Sequence, residues 1–198
     1  MRTNKFLFIL FIISSCSEKF SPKPNGYFRI DFPKKNYKIY TNDCNYEFLI
    51  ESNAKVVTSE KNCWINIYYE IFDATIYITY KKINSDLNKI LEDNYRLVFD
   101  HSIKSNAINE KLYENIETRS ILYEIVGNAA SNIQFYSTDL KNHFVRGSLY
   151  FNNRPNYDSI IPVKNFLKED IISLRDTHAL PLTLSNLIKA NFCGSCIR

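Results

Sequence analysis

The chain has 198 residues, 45% of them apolar and 15% aromatic, with 25 Lys plus Arg against 21 Asp plus Glu and a formal net charge of +4. That length and apolar content suffice for one hydrophobic core, predict a single domain and exclude a disordered chain. Four Gly and six Pro exclude collagen-like and low-complexity sequence, and no run approaches the roughly 18–20 apolar residues of a membrane-spanning helix.

At the amino terminus Arg2 and Lys5 precede the apolar run 6–13, then Ser14, Ser15 and Cys16. A basic start, a hydrophobic stretch too short to span a bilayer and small residues at its end define a secretory signal peptide. Ile13-Ser14-Ser15-Cys16 resembles the bacterial lipobox, in which the Cys becomes the acylated first residue of the mature chain. Residues 1–15 are therefore read as the signal and Cys16 as the lipidation site. The alternative is a cleavable signal ending nearby, with Cys16 an ordinary residue. Removing Arg2 and Lys5 with the signal takes the net charge from +4 to +2. A near-neutral chain without a basic stripe argues against a nucleic-acid partner. Each buried CH₂ of an acyl chain contributes about 0.8 kcal/mol, so the membrane partner is reached through the anchor and the domain surface can stay polar.

Residues 16–26 contain Pro22 and Pro24 and read as an extended tether. Residues 27–33 alternate apolar and charged side chains, which predicts an edge strand closed by Pro33. Further strands are predicted over 46–50, 54–58, 64–72 and 74–80, with Asp73 at a turn. The period then changes. Leu87, Ile90, Leu91, Asn94, Val98 and His101 recur at three- and four-residue spacing and predict an amphipathic helix over 85–101, capped by Asn84 or Ser85. An irregular, partly helical stretch is expected over 103–113. Strands return at 119–126, 132–138 and 144–151, the last two joined by a hairpin turn at 139–142. A second helix, capped by Asp158 or Ser159 and with Pro162 in its first turn, carries Ile160, Val163, Leu167, Ile171 and Leu174 as its stripe. Strands outnumber the segregated helices, so the fold class is α+β, a largely antiparallel sheet packed against two main amphipathic helices. The domain is placed at 27–174 and a C-terminal tail at 175–198.

Export permits disulfides. Cys44 and Cys63 flank a predicted hairpin, and a bridge closing about 18 residues would contribute roughly 3 kcal/mol in the chain-entropy model. Two buried free thiols are the alternative. Cys193 and Cys196 have the spacing of a redox pair or half a zinc site, but they sit at the extreme end of the chain, and His101, His143 and His178 are not at ligand spacing. A terminal disulfide or idle thiols is the plainer reading. Gly occurs only at positions 26, 127, 147 and 194, so no Gly-rich phosphate loop exists, and no nucleophile elbow or His-Glu-x-x-His is present. Neither a catalytic constellation, a metal site nor a cofactor is expected. The polar segment 127–132 offers backbone N–H groups, although small residues there also make a tight connection. His143 and Arg146, three apart on a strand, must point to opposite faces.

Several segments together carry a family resemblance: Pro22-Lys23-Pro24-Asn25-Gly26-Tyr27-Phe28-Arg29-Ile30-Asp31, Cys63-Trp64, Gly127-Asn128-Ala129-Ala130-Ser131, His143-Phe144-Val145-Arg146-Gly147-Ser148, and Pro155-Asn156-Tyr157-Asp158-Ser159. In this order and spacing the sequence resembles the gliding-motility lipoprotein GldD family of Bacteroidota from the signal peptide to about residue 174. The resemblance implies a lipid-anchored envelope protein needed for gliding and for type IX secretion, with no catalytic activity. Residues 175–198 depart from the family's helical finish and are expected to be poorly packed. The expected role is a non-enzymatic assembly or scaffold component with envelope protein partners. Its partner surface is assigned to Tyr27, Arg29, Asn128, Ser131, His143, Arg146, Asn156 and Asp158, polar groups in the family-matching segments that could equally serve as salt bridges and caps. Two other classes stay open: a periplasmic module binding a small lipid or glycan fragment, which requires an apolar or aromatic pocket, and a thiol-disulfide enzyme using Cys193 and Cys196.

Overall fold

A computed structural model describes residues 30–42, 44, 47–58, 63–100, 104–114, 116, 118–153 and 156–176. In chain order the described elements are β1 (Tyr37–Thr41), β2 (Glu47–Glu51), β3 (Lys55–Thr58), β4 (Ile65–Tyr69), a 3₁₀ turn (Glu70–Phe72), β5 (Ala74–Lys82), α1 (Leu87–Asp100), β6 (Ser105–Glu114), β7 (Arg119–Gly127), β8 (Ser131–Thr138), β9 (His143–Phe151) and α2 (Tyr157–Asp176). Strands β1 and β2 form a separate hairpin sheet, and the other seven are ordered β3-β4-β5-β9-β8-β7-β6, every pairing antiparallel. The α+β class expected from the sequence is the fold observed.

Period-two alternation sorts the strands onto two faces. One face carries Ile65, Ile67, Tyr69, Ile76, Ile78, Leu122, Ile133, Phe135, Val145 and Leu149, and Leu167, Ile171 and Leu174 of α2 close over it together with Phe48 and Ile50 of β2. Gly147 is obligatory on this face, because a Cβ there would lie 2.1 Å from Cε1 of Phe135. The other face carries Tyr123, Ile125, Tyr136 and Phe144, onto which α1 lowers Ile90 and Val98. This covers only the β7-β8-β9 side. Phe144 stacks on Tyr136 with ring centroids 5.4 Å apart.

Several expectations are corrected. Residues 30–36 form no strand: Lys35 reaches across to the carboxylate of Asp170 at 2.7 Å and the carbonyl of Phe166 at 2.5 Å, which ties this segment to α2. The strand β1 that follows had no clear period, since its side chains are mostly exposed. The stretch expected to be partly helical is β6, a sheet edge whose side chains are largely exposed on both faces, so no apolar alternation marks it. Asp86, not Asn84 or Ser85, precedes α1, its carbonyl accepting the Ile90 N–H at 3.0 Å. Helix α2 begins at Tyr157, two or three residues earlier than expected: the Asn156 carbonyl accepts from the N–H groups of Ser159 and Ile160, and Asn128 Oδ1 accepts the Tyr157 N–H at 2.8 Å. Asp158 then lies in the first turn, where a negative charge favours the helix dipole. The α2 helix continues to Asp176, two residues beyond the expected domain limit at 174.

Candidate functional site

The half-covered face leaves a cleft. Side chains at Ile90, Asp93, Asn94 and Leu97 of α1, at helical spacing, form one wall, and Trp64, Thr79, Phe144 and Arg146 lie on the sheet side; its volume is about 690 Å³. The sheet register explains the assembly. Thr79 of β5 pairs with Arg146 of β9, and Arg146 pairs with Tyr136 of β8, so these three residues form one transverse row, with Trp64 just outside β4 at its open end. A disulfide between Cys44 and Cys63, with Cα atoms 5.7 Å apart, fixes the residue immediately before Trp64. Beyond the cleft, the open floor continues over Tyr77, Ser148 and Tyr150.

Arg146 is the chemical centre of this face. Its Nη2 donates to Oε1 of Gln134 at 2.7 Å, a diagonal neighbour on β8, while its buried Nε–H has no partner among the described residues. No carboxylate among the described residues pairs with it; burial, the main influence, pulls its pKa below the ordinary guanidinium value, with the Tyr150 hydroxyl pulling the other way. Gln134 is held by the same bond, leaving its own amide nitrogen without a partner. Across the cleft Asn94 is only 3% exposed, yet neither its amide oxygen nor its nitrogen is hydrogen-bonded among the described residues. A buried polar atom without a partner costs about 1–3 kcal/mol, and both Arg146 and Asn94, which line the cleft, carry such atoms. Among the nearby charges Asp93 accepts from Arg96 Nη2 at 3.2 Å and Asp86 lies 3.6 Å from Lys81, while Lys82 also lines the cleft.

The opposite face shows the contrast. Burial raises the Glu124 carboxyl, but Lys168 and Lys164 of α2 outweigh it and the net shift is downward. Tyr37 donates to Asp170 Oδ1 at 2.7 Å, and burial followed by that bond pushes its phenol pKa up.

The described residues among those assigned to a partner surface do not come together in one patch. Cys16, Tyr27 and Arg29 lie outside the described residues, as do Cys193 and Cys196. Asn128, Asn156 and Asp158 gather at the start of α2, the first two engaged in building its first turn. Ser131 is fully buried and its hydroxyl donates to the Ile133 carbonyl at 3.2 Å, so its side chain presents nothing to a partner. His143 and Arg146 are on opposite faces, and His143 Nδ1 lies 2.8 Å from the Tyr80 hydroxyl. The segment 127–132 makes a tight connection: Asn132, at an irregular step in the β8–β9 register, donates to the carbonyls of Ile125 and Gly127 at 2.9 and 2.8 Å. Of the residues that do build the cleft, Asn94 had a signal, a polar residue in an otherwise apolar helical stripe. Gln134 had none, because β8 is buried on both faces.

Fold and site together define an α+β domain with an open, largely apolar cleft over a half-buried arginine. A family model described as gliding motility lipoprotein GldD matches residues 17–179, and the chain belongs to that family. It is a lipoprotein related to gliding motility, associated with a membrane of the cell envelope through its lipid anchor. No curated protein matches the chain. Among the described residues no helix is long and apolar enough to cross a membrane, and no three His, Cys, Asp or Glu side chains are grouped to hold a metal ion.

Proposed function

We propose that this protein is a periplasm-facing, Cys16-acylated component of the gliding machinery, required also for type IX secretion, that works without catalysis as an assembly scaffold. The observation carrying this reading is the family match beginning at residue 17, immediately after the lipobox-like cysteine, and running through the whole described domain. The tether then holds the domain away from the bilayer, and the half-covered sheet face with Trp64 and Tyr77 at its surface is the side on which a partner protein docks. Both aromatics are well exposed, and aromatic anchors dominate protein interfaces.

The test is a pull-down from detergent-solubilised, crosslinked envelopes comparing native protein, Cys16→Ala and Trp64→Ala/Tyr77→Ala. Motility and secretion components should be recovered with native protein and lost with the double variant while its circular dichroism is unchanged. Should native protein enrich no envelope protein, the scaffold role fails.

A further inference from the structure

The cleft beside α1 has polar features that the scaffold role does not use. Its floor holds the half-buried Arg146 guanidinium, which no carboxylate among the described residues pairs with. Its helix wall holds the buried Asn94 amide, without a partner among the described residues, and the rest of the lining combines the apolar Ile90, Leu97, Phe144 and Trp64 with Thr79, Lys81, Lys82 and Asn84. A planar guanidinium with a free N–H, anchored from behind by Gln134, is geometrically suited to a carboxylate, and such charge-assisted bonds are stronger than neutral ones. The volume of about 690 Å³ suits a small molecule rather than a side chain.

We propose that this cleft is a binding site for a small organic carboxylate with an apolar body, whose carboxylate meets Arg146, whose second polar contact is the Asn94 amide, and whose body lies against Ile90, Leu97, Phe144 and Trp64. Trp64 belongs both to this site and to the proposed docking face, so binding is tested on the isolated protein, where its failure leaves the scaffold reading standing.

The chain contains one tryptophan, and it lines this cleft, so its emission reports occupancy directly. The experiment titrates hexanoate onto the detergent-solubilised full-length lipoprotein, with hexanamide as the neutral isostere and inorganic phosphate as the non-carboxylate anion. Saturable change in Trp64 emission is expected with hexanoate, with hexanamide and phosphate each weaker by about tenfold or more. Arg146→Gln should abolish the preference for hexanoate over hexanamide. Leu97→Phe, which narrows the cleft and leaves the cation in place, should weaken hexanoate and keep that preference for whatever binding survives. Equal binding of acid and amide, tighter binding of phosphate, an unchanged preference in folded Arg146→Gln, or no saturable response to hexanoate would each overturn the proposal.

Discussion

The two faces of the central sheet are built from the same strands and finished in opposite ways. Under α2 the side chains interlock: Phe135 fills the space over Gly147, Leu167 and Ile171 are wholly buried, and the charged groups that reach this layer are paired, Glu124 with Lys164 and Lys168, Asp170 with Lys35. Under α1 the helix stands farther off, and no strand approaches its backbone as closely as β2, β7 and β8 approach that of α2. The aromatic rings of Tyr123, Tyr136 and Phe144 fill one side of that gap and leave the other open over Arg146. On the α2 side interlocked side chains and ion-paired charges contribute stability, with Asp170 Oδ2 the exception that has no partner there among the described residues. The α1 side leaves Arg146 Nε, the Gln134 amide nitrogen and the Asn94 amide without partners among the described residues, beside an open cleft.

The difference can be broken at its packed side first. Phe135→Ala should cost about 4 kcal/mol in urea unfolding, the largest single loss expected, because the cavity opens at the centre of the α2-side core. Gly147→Ala should cost about 2 kcal/mol by the converse route, since the added methyl overlaps the Phe135 ring and Ile78.

Two buried asparagines sharpen the contrast between used and unused polar groups. Asn132→Ala leaves the Ile125 and Gly127 carbonyls without their donor and should destabilise by about 2 kcal/mol. Asn94→Leu removes an amide that bonds to nothing among the described residues and should be neutral or stabilising by about 1 kcal/mol, measured in the same unfolding experiment. A loss at Asn94 equal to that at Asn132 would mean that the cleft amide is part of the fold and not held in reserve.

The smallest expected effect is on pH. Glu124 lies below its ordinary value of 4.5: burial alone would raise it, and the paired Lys168 and Lys164 more than reverse that. A carboxyl depressed in the folded state contributes stability that is present above its unfolded pKa and lost as pH falls through the folded one. Asp139, raised by burial but lowered further by the N–H groups of His143, Asn142 and Lys141, acts in the same direction. Urea midpoints should therefore decline below about pH 4.5, and Glu124→Gln should make that decline shallower. Arg146→Gln should leave the acid limb unchanged, because no carboxylate among the described residues depends on it.

Residues whose pattern reflects burial on one side only were read correctly from sequence. The stripe of α1, the stripe of α2 and strand β7 carry a period imposed by one apolar face and lie where the period places them, and β8 and β9 lie where their apolar and aromatic runs place them. Strand β6 was not legible, because an edge strand exposed on both faces has no alternation to display. The start of α2 was displaced because one of its first bonds comes from Asn128, a residue 29 positions earlier.

The sequence by itself determined the α+β class, the opposite orientation of His143 and Arg146, the lipobox-like start and the resemblance to the family to which the chain belongs. All of these are written in local spacing or in contiguous motifs. What only the tertiary structure decided is which polar residues meet. Asn94 on a helix, Arg146 and Gln134 on neighbouring strands, and Trp64 beside a disulfide become one cleft through strand order and register. The same register carries Ser131 and Asn128, polar residues chosen for an interface, into the interior and onto a helix end, because local sequence records a side chain's chemistry and not the element that packs against it.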